Sequence, residues 1–199
     1  MKIIGLTGSI GMGKSTTAAM FEKLGIPVHD SDAVIRKTLT TPSPVLENVG
    51  TLFPAAWNTR KKQLERSKVA AEIFKDAKKR TQLEALLHPV VWESQDNFLK
   101  QCRRAGAPMA VLDIPLLFET GADKKVDITI CCIAPPLIQA ARVLARPGFT
   151  PEKFLAIRAQ QMDDAEKKKR ADFVLYTGLG HADTLKRLNK ILQQIRLAP

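Results

Sequence analysis

The segment Gly8-Ser9-Ile10-Gly11-Met12-Gly13-Lys14-Ser15 has the spacing G-x-x-x-x-G-K-[ST], and its flanks narrow the fold at once. Before it runs a short apolar stretch, Lys2–Thr7, that reads as a strand. After it, Ser15 to Leu24 reads as a helix, with Ala18, Ala19, Phe21 and Leu24 at apolar positions and Gly25 just past the end. The glycines allow backbone angles that a side chain forbids, so successive N–H groups can converge on phosphate oxygens. The helix start adds the positive end of its dipole. Lys14 offers a mobile charge for β- and γ-phosphates, and the Ser15 hydroxyl can ligate Mg²⁺.

The rest of the chain continues the alternation. Ile26-Pro27-Val28-His29-Asp30 reads as a second strand, with a helix starting near Ser31 or Asp32, either of which can cap it. From Thr40 to Arg104 the pattern is helical throughout: Val45–Phe53, Arg66–Phe74, Asp76–Leu87 and Val90–Arg104, with Pro42, Pro44, Pro54 and Pro89 as breaks. Strands return at Met109–Ile114 and Asp127–Ile133, the second rich in β-branched residues. A helix from about Pro136 to Ala145 ends at Pro147-Gly148, and a charged helical stretch runs from Pro151 to Arg170. Asp172–Tyr176 is a last strand. His181–Leu197 is an amphipathic helix with Leu185, Leu188, Ile191, Leu192 and Ile195 on one face. The expected fold is α/β, a P-loop NTPase three-layer fold with a parallel sheet covered on both sides. The helical block is too long for a simple crossover and reads as a subdomain inserted between the second and third strands.

At 199 residues the chain is long enough to bury a core as one unit. Its 45% apolar and 26% charged content excludes collagen-like, mucin-like and wholly disordered classes. No run approaches the length of a membrane span, and the apolar run near Met1 is too short for a signal-peptide core. Cys102, Cys131 and Cys132 have no zinc or C-x-x-C spacing and read as reduced, buried thiols of a cytoplasmic protein. The net charge of +11 suits a polyanionic partner, either nucleic acid or a phosphorylated small molecule. Basic residues cluster at Arg60–Arg80 and Arg142–Arg170; the simpler reading of each cluster is a solvated helix face.

A GTPase would show N-K-x-D, and the only Asn-Lys pair, Asn189-Lys190, is followed by Ile191-Leu192. The size fits a small-molecule kinase. Such an enzyme gains from a carboxylate that accepts the acceptor's proton and from cations on the moving phosphoryl group. In open α/β sheets the ligand crevice lies at the carboxyl ends of the strands. Asp30, Asp32 and the stretch Asp113–Glu119 fall there. Asp30 and Asp32 read either as site carboxylates or as helix-cap residues. Asp113 reads either as an outer-sphere partner of Mg²⁺ or as a buried, hydrogen-bonded carboxylate.

Gly8–Ser15, Asp30-Ser31-Asp32, Leu87-His88-Pro89, Pro115-Leu116-Leu117-Phe118-Glu119 and Gln161 with Ala171-Asp172-Phe173-Val174 together resemble the dephospho-CoA kinase family, from Ile3 to about Gly180. The resemblance implies ATP-dependent phosphorylation of the ribose 3′-hydroxyl of dephospho-CoA, the last step of CoA synthesis, with Mg²⁺. It implies one kinase domain with three parts: a nucleotide core (1–39, 107–146, 171–199), a helical CoA-binding subdomain (40–106) and a lid (147–170). It puts ATP on Gly11, Met12, Gly13, Lys14, Ser15 and Thr16 and makes Asp32 the candidate base. Arg142 and Arg146 match basic positions at the lid base. Four apart on a helix, they would share a face and clamp ATP phosphates, the alternative being a solvated face. His88 either touches substrate or holds the subdomain together. Pro115, Leu116 and Glu119 shape the acceptor pocket by analogy, while Leu117 and Phe118 read as core.

Two features depart from the family pattern. Tyr176-Thr177-Gly178-Leu179-Gly180 stands where the family often carries Asn near adenine. Lys167-Lys168-Lys169-Arg170 is unusually basic, with a solvated lid face as the plainer reading. A nucleoside or nucleoside-monophosphate kinase would share the same loop, insertion and lid. A nucleic-acid-dependent ATPase is disfavoured by the 6% aromatic content and the lack of an RNA-binding signature. The expected partner is therefore the small-molecule acceptor, with no nucleic acid or membrane, and the expected state a monomer or weak homo-oligomer.

Overall fold

Residues 1–197 are described by the structure, a computed structural model; the last two positions of the expected core segment 171–199 lie outside them. The chain divides into two compact units, residues 1–29 with 102–199 and residues 30–101.

The first unit is built on a five-stranded sheet. Its strands are β1 (Lys2–Thr7), β2 (Val28–Asp30), β5 (Met109–Asp113), β6 (Ile128–Ile133) and β7 (Phe173–Tyr176), in the order β2-β5-β1-β6-β7. β1 pairs in parallel with β5 (Ile4 opposite Val111) and with β6 (Leu6 opposite Ile130), and β6 pairs in parallel with β7. Strands buried on both faces read as continuous apolar runs, which is why Ile3-Ile4-Gly5-Leu6 and Met109–Leu112 show no alternation. On one face Ile4, Leu6, Val111, Ile130 and Leu175 pack with Met20 and Phe21 of α1 (Lys14–Lys23) and with Leu188, Leu192 and Ile195 of α9 (His181–Leu197). Each such buried side chain contributes about 1.5–3 kcal/mol. On the opposite face Gly5 backs onto Leu117, and α8 (Asp164–Arg170) packs on β6. Leu117 and Phe118 are buried, as expected of core residues.

The second unit is helical: α2 (Ser31–Thr38), α3 (Pro44–Leu52), α4 (Arg66–Lys75) and most of α5 (Ala77–Arg104). Leu39, Val49, Phe53, Val69, Leu83 and Leu87 form its core. Two expectations are corrected here. The block is not all helix, because Trp57–Asn58 (β3) and Gln63–Leu64 (β4) pair as an antiparallel hairpin. The Asn58 side chain closes its turn by accepting from Lys61 N at 3.0 Å, and the Trp57 ring fills the space over Gly50. Nor does Pro89 break the last helix. Leu83, Leu87, Val91, Gln95 and Leu99 are buried at every fourth position straight through it, and that stripe outweighs the one backbone bond the proline removes.

A third correction concerns the charged stretch 151–170. It is two helices, α7 (Pro151–Ala159) and α8, capped by Thr150 and Asp163 respectively. The side chain of Asp163 accepts from Ala165 N, which starts a new helix where one was expected to continue. Among the described residues no helix is long and apolar enough to cross a membrane.

Candidate active site

The glycines of the phosphate loop are required by both angle and space. Gly13, the N-cap of α1, has φ +86°, and a Cβ there would stand 2.9 Å from Thr177 Oγ1. At Gly11 (φ +80°) a Cβ would meet Val143 Cγ2 at 2.6 Å and the Gln139 carbonyl at 2.9 Å. α1 has no side-chain cap and no acidic residue in its first turn. Its first N–H groups are thus left for an external anion. Ser15 and Thr16 present their hydroxyls at the exposed start of that helix.

The loop is held by side chains from four other segments, Gln139 and Thr177 buried, Gln161 and Asp164 half-buried. Gln139 Nε2, on α6 (Pro136–Leu144), donates to Ile10 O at 2.8 Å, and Ile10 N donates to Gln161 Oε1 at 3.0 Å. Ser9 Oγ donates to Asp164 Oδ1 at 2.6 Å. Thr177 Oγ1 donates to Met12 O at 2.8 Å, and Ala134 N reaches Met12 Sδ at 3.0 Å. A phosphate loop needs such bracing, because a misplacement of its N–H groups weakens every hydrogen bond to the ligand.

Lys14 Nζ lies 2.6 Å from Asp113 Oδ1 at the end of β5, with side chains 13% and 5% exposed. The pair keeps the lysine at the mouth of the loop. Ser15 and Asp113 supply hard oxygen donors of the kind Mg²⁺ takes, and two such ligands suffice for a cation that keeps waters and substrate phosphates. The donor set therefore fits the metal.

The two carboxylates after β2 separate clearly. Asp30 is the cap of α2: its Oδ1 accepts from Ala33 N at 2.8 Å and its Oδ2 pairs with Arg36 at 3.0 Å. The helix does start at Ser31, but the capping role falls to Asp30 and not to Ser31 or Asp32. Asp32, exposed in the first turn, makes no hydrogen bond or ion pair with the described residues.

Arg142 and Arg146 do not share a helix face. α6 ends at Leu144, so Arg146 lies beyond it, exposed, its guanidinium 6.0 Å over the Phe149 ring. Arg142 turns inward and donates to Thr177 O at 2.6 Å, Thr177 Oγ1 at 3.0 Å and Gly11 O at 3.4 Å. His88 lies inside α5, not at a helix end, its ring 5.6 Å from that of Trp92. Pro115 and Leu116 are half-buried in the turn after β5, and Pro115 O accepts from Thr7 Oγ1 at 3.0 Å. Glu119 directs its Oε1 to Met162 N at 2.9 Å and Lys167 Nζ at 2.8 Å. The basic run 167–170 is not one solvated face. Lys167 is fully buried, Lys168 sits over the Tyr176 ring, and Arg170 pairs with Asp123 at 3.1 Å while lying over Phe118. Sequence reasoning missed Thr177 as a brace. The one available signal was its place directly after the last strand, where the chain must pass the phosphate loop.

Over residues 2–182 the sequence matches the dephospho-CoA kinase family. The chain belongs to that family. A dephospho-CoA kinase of Nitrobacter winogradskyi is 43% identical over 192 residues, covering 96% of this chain and 94% of its own. Among solved structures, a crystallised protein of Thermus thermophilus superposes with a TM-score of 0.85 at 36% identity, covering 100% of this chain and 98% of its own. The dephospho-CoA kinase from Campylobacter jejuni superposes with a TM-score of 0.70 at 25% identity, covering 97% of this chain and 96% of its own. Membership in the dephospho-CoA kinase family makes the chain a kinase, and the α/β phosphate-loop fold agrees with it.

Proposed function

We propose that the chain transfers the γ-phosphoryl group of ATP to the ribose 3′-hydroxyl of dephospho-CoA, giving coenzyme A and ADP in the last step of CoA biosynthesis. The extent of the family match carries the reading. It takes in both the phosphate loop and the whole helical unit, where an acceptor kinase of another specificity would diverge. The triphosphate lies on the N–H groups of Gly11, Met12, Gly13, Lys14, Ser15 and Thr16. Lys14 leaves Asp113 for the β- and γ-phosphates. Ser15 and, through water, Asp113 would hold Mg²⁺, which would supply charge neutralisation at the phosphates.

The acceptor oxygen forms its bond to the γ-phosphorus as the bond to the bridging oxygen breaks. ADP leaves with that electron pair, and the hydroxyl proton passes to the Asp32 carboxylate. The assignment of Asp32 is supported by its exposed, unengaged carboxylate and by the family resemblance. Arg146 is free to meet ATP phosphates, whereas Arg142 supplies its charge from a fixed position against Gly11 and Thr177. His88, Pro115 and Leu116 contribute to the acceptor site. The enzyme acts in the cytoplasm, a reading its buried free thiols support, as a monomer or weak homo-oligomer.

An acceptor screen tests the assignment. With ATP and Mg²⁺, dephospho-CoA gains one phosphoryl group by product mass, while AMP, dTMP and nucleosides are turned over far more slowly. Turnover of a nucleoside monophosphate in preference to dephospho-CoA would overturn it.

A further inference from the structure

The ion pair of buried Lys167 with half-buried Glu119 lies outside the phosphate loop and the base, and its surroundings give it a task. Lys167 is 0% exposed, and its ammonium is 2.8 Å from Glu119 Oε1. The same oxygen accepts from Met162 N at 2.9 Å. One helical turn before Lys167, on the same face of α8, Asp164 accepts from Ser9 Oγ at 2.6 Å, and just upstream Gln161 accepts from Ile10 N at 3.0 Å. At the other end of the 115–119 turn, Thr7 Oγ1 donates to Pro115 O at 3.0 Å. The contacts form a closed circuit: Thr7 to Pro115, along the turn to Glu119, across to Met162 and Lys167, and from Asp164 and Gln161 back to Ser9 and Ile10.

Energy alone does not account for the pair. Burying an ammonium and a carboxylate costs several kcal/mol, and an apolar pair of the same volume is often as stable or more so. Here Glu119 Oε2 finds no hydrogen-bond partner among the described residues, and the ammonium makes no well-directed hydrogen bond. A pair that is incompletely satisfied, yet linked on both sides to the phosphate loop, is better explained by placement than by stability.

We infer that Lys167 and Glu119 are positioning residues for nucleotide binding. They seat the start of α8 so that Asp164 and Gln161 hold Ser9 and Ile10 where the loop's N–H groups meet the triphosphate. Glu119 thus serves the ATP side, not the acceptor directly. The inference rests on the loop binding ATP and is independent of which acceptor is used, so calorimetry with ATP·Mg²⁺ alone tests it apart from the acceptor screen. Lys167→Met and Glu119→Gln each raise the ATP Kd about fivefold or more, a coupling of ordinary size for linked residues. Asp164→Ala, which cuts the circuit at the loop, raises it similarly. On the Asp164→Ala background Lys167→Met then adds little to the ATP Kd, though it still lowers resistance to urea. If Lys167→Met does not fold, Glu119→Gln carries the same cycle, since the amide keeps an acceptor for Met162 N. An unchanged ATP Kd in the single variants, effects that multiply fully in the double variant, or weakened dephospho-CoA binding with normal ATP binding in Glu119→Gln would each overturn the inference.

Discussion

Replacing Thr177 by Val removes one hydroxyl and almost no volume, and it tests the bracing of the phosphate loop directly. That hydroxyl donates to Met12 O at 2.8 Å and accepts from Arg142 Nη1 at 3.0 Å, both in a site where Met12 and Thr177 are buried. Leaving the Met12 carbonyl without a donor costs about 1–3 kcal/mol. Arg142 loses less, at most about 1 kcal/mol, because it keeps the Thr177 carbonyl at 2.6 Å and is exposed enough to meet water. The total is about 1–4 kcal/mol, with a middle value of about 2.5. Part of it appears as lower stability and part as a loop that spends time displaced toward water. If half falls on the loop, the ATP Kd rises about tenfold, since 1.4 kcal/mol is a factor of ten. Calorimetry with ATP·Mg²⁺ gives the loop's share. Urea unfolding followed by circular dichroism gives the share in stability; tryptophan fluorescence would not, because Trp57 and Trp92 both lie in the 30–101 unit. Thr177→Ser keeps both hydrogen bonds and stays near the starting protein in both assays. A Thr177→Val protein with ATP affinity within about twofold of the parent and an unchanged urea midpoint would refute the reasoning.

Asp32→Asn lowers kcat by at least about 10²-fold with little change in the ATP KM, whereas Asp30→Asn keeps its activity because asparagine caps a helix as well as aspartate; steady-state kinetics on the two variants separates base from cap. Burial pushes the thiols of Cys131 and Cys132 up to about 12 from 9.0, so neither reacts with a thiol reagent at pH 8 until the protein is unfolded. The same shifts fix the alkaline limit. Below about pH 9 both folded and unfolded chains hold these protons and stability is unaffected. From 9 to 12 only the unfolded chain releases them, so the urea midpoint falls across that window, and less steeply in a Cys131→Ala variant.

The parallel sheet was readable because strands buried on both faces are long apolar runs, and the phosphate loop because its glycines have no substitute at those angles. What escaped was decided by packing at a distance. Pro89 looks like a stop, but the fourfold spacing of Leu83, Leu87, Val91, Gln95 and Leu99 passes through it. The Trp57–Leu64 hairpin depends on Asn58 closing a turn and on a tryptophan seated over Gly50, contacts that no local pattern announces. In the site, motif residues such as Lys14 and Ser15 were legible because chemistry dictates their type. Thr177, Gln139 and Asp164 were not, since many polar residues would serve as braces and only the fold brings these to the loop. Lys167 was misread for the same reason, as its burial is set by Glu119, 48 positions away.

The order of the sheet has a consequence for synthesis. β1 lies in the middle, and both its neighbours, β5 and β6, are made more than 100 residues after it. At about 5–20 residues per second, the first strand waits on the order of 5–20 s for a partner. The residues that form the core of the helical unit, Leu39, Val49, Phe53, Val69 and Leu83, all lie between β1 and β5 in the sequence and so are made before β5. Until Met109–Asp113 emerges, the apolar Ile3-Ile4-Gly5-Leu6 has neither of its strand partners.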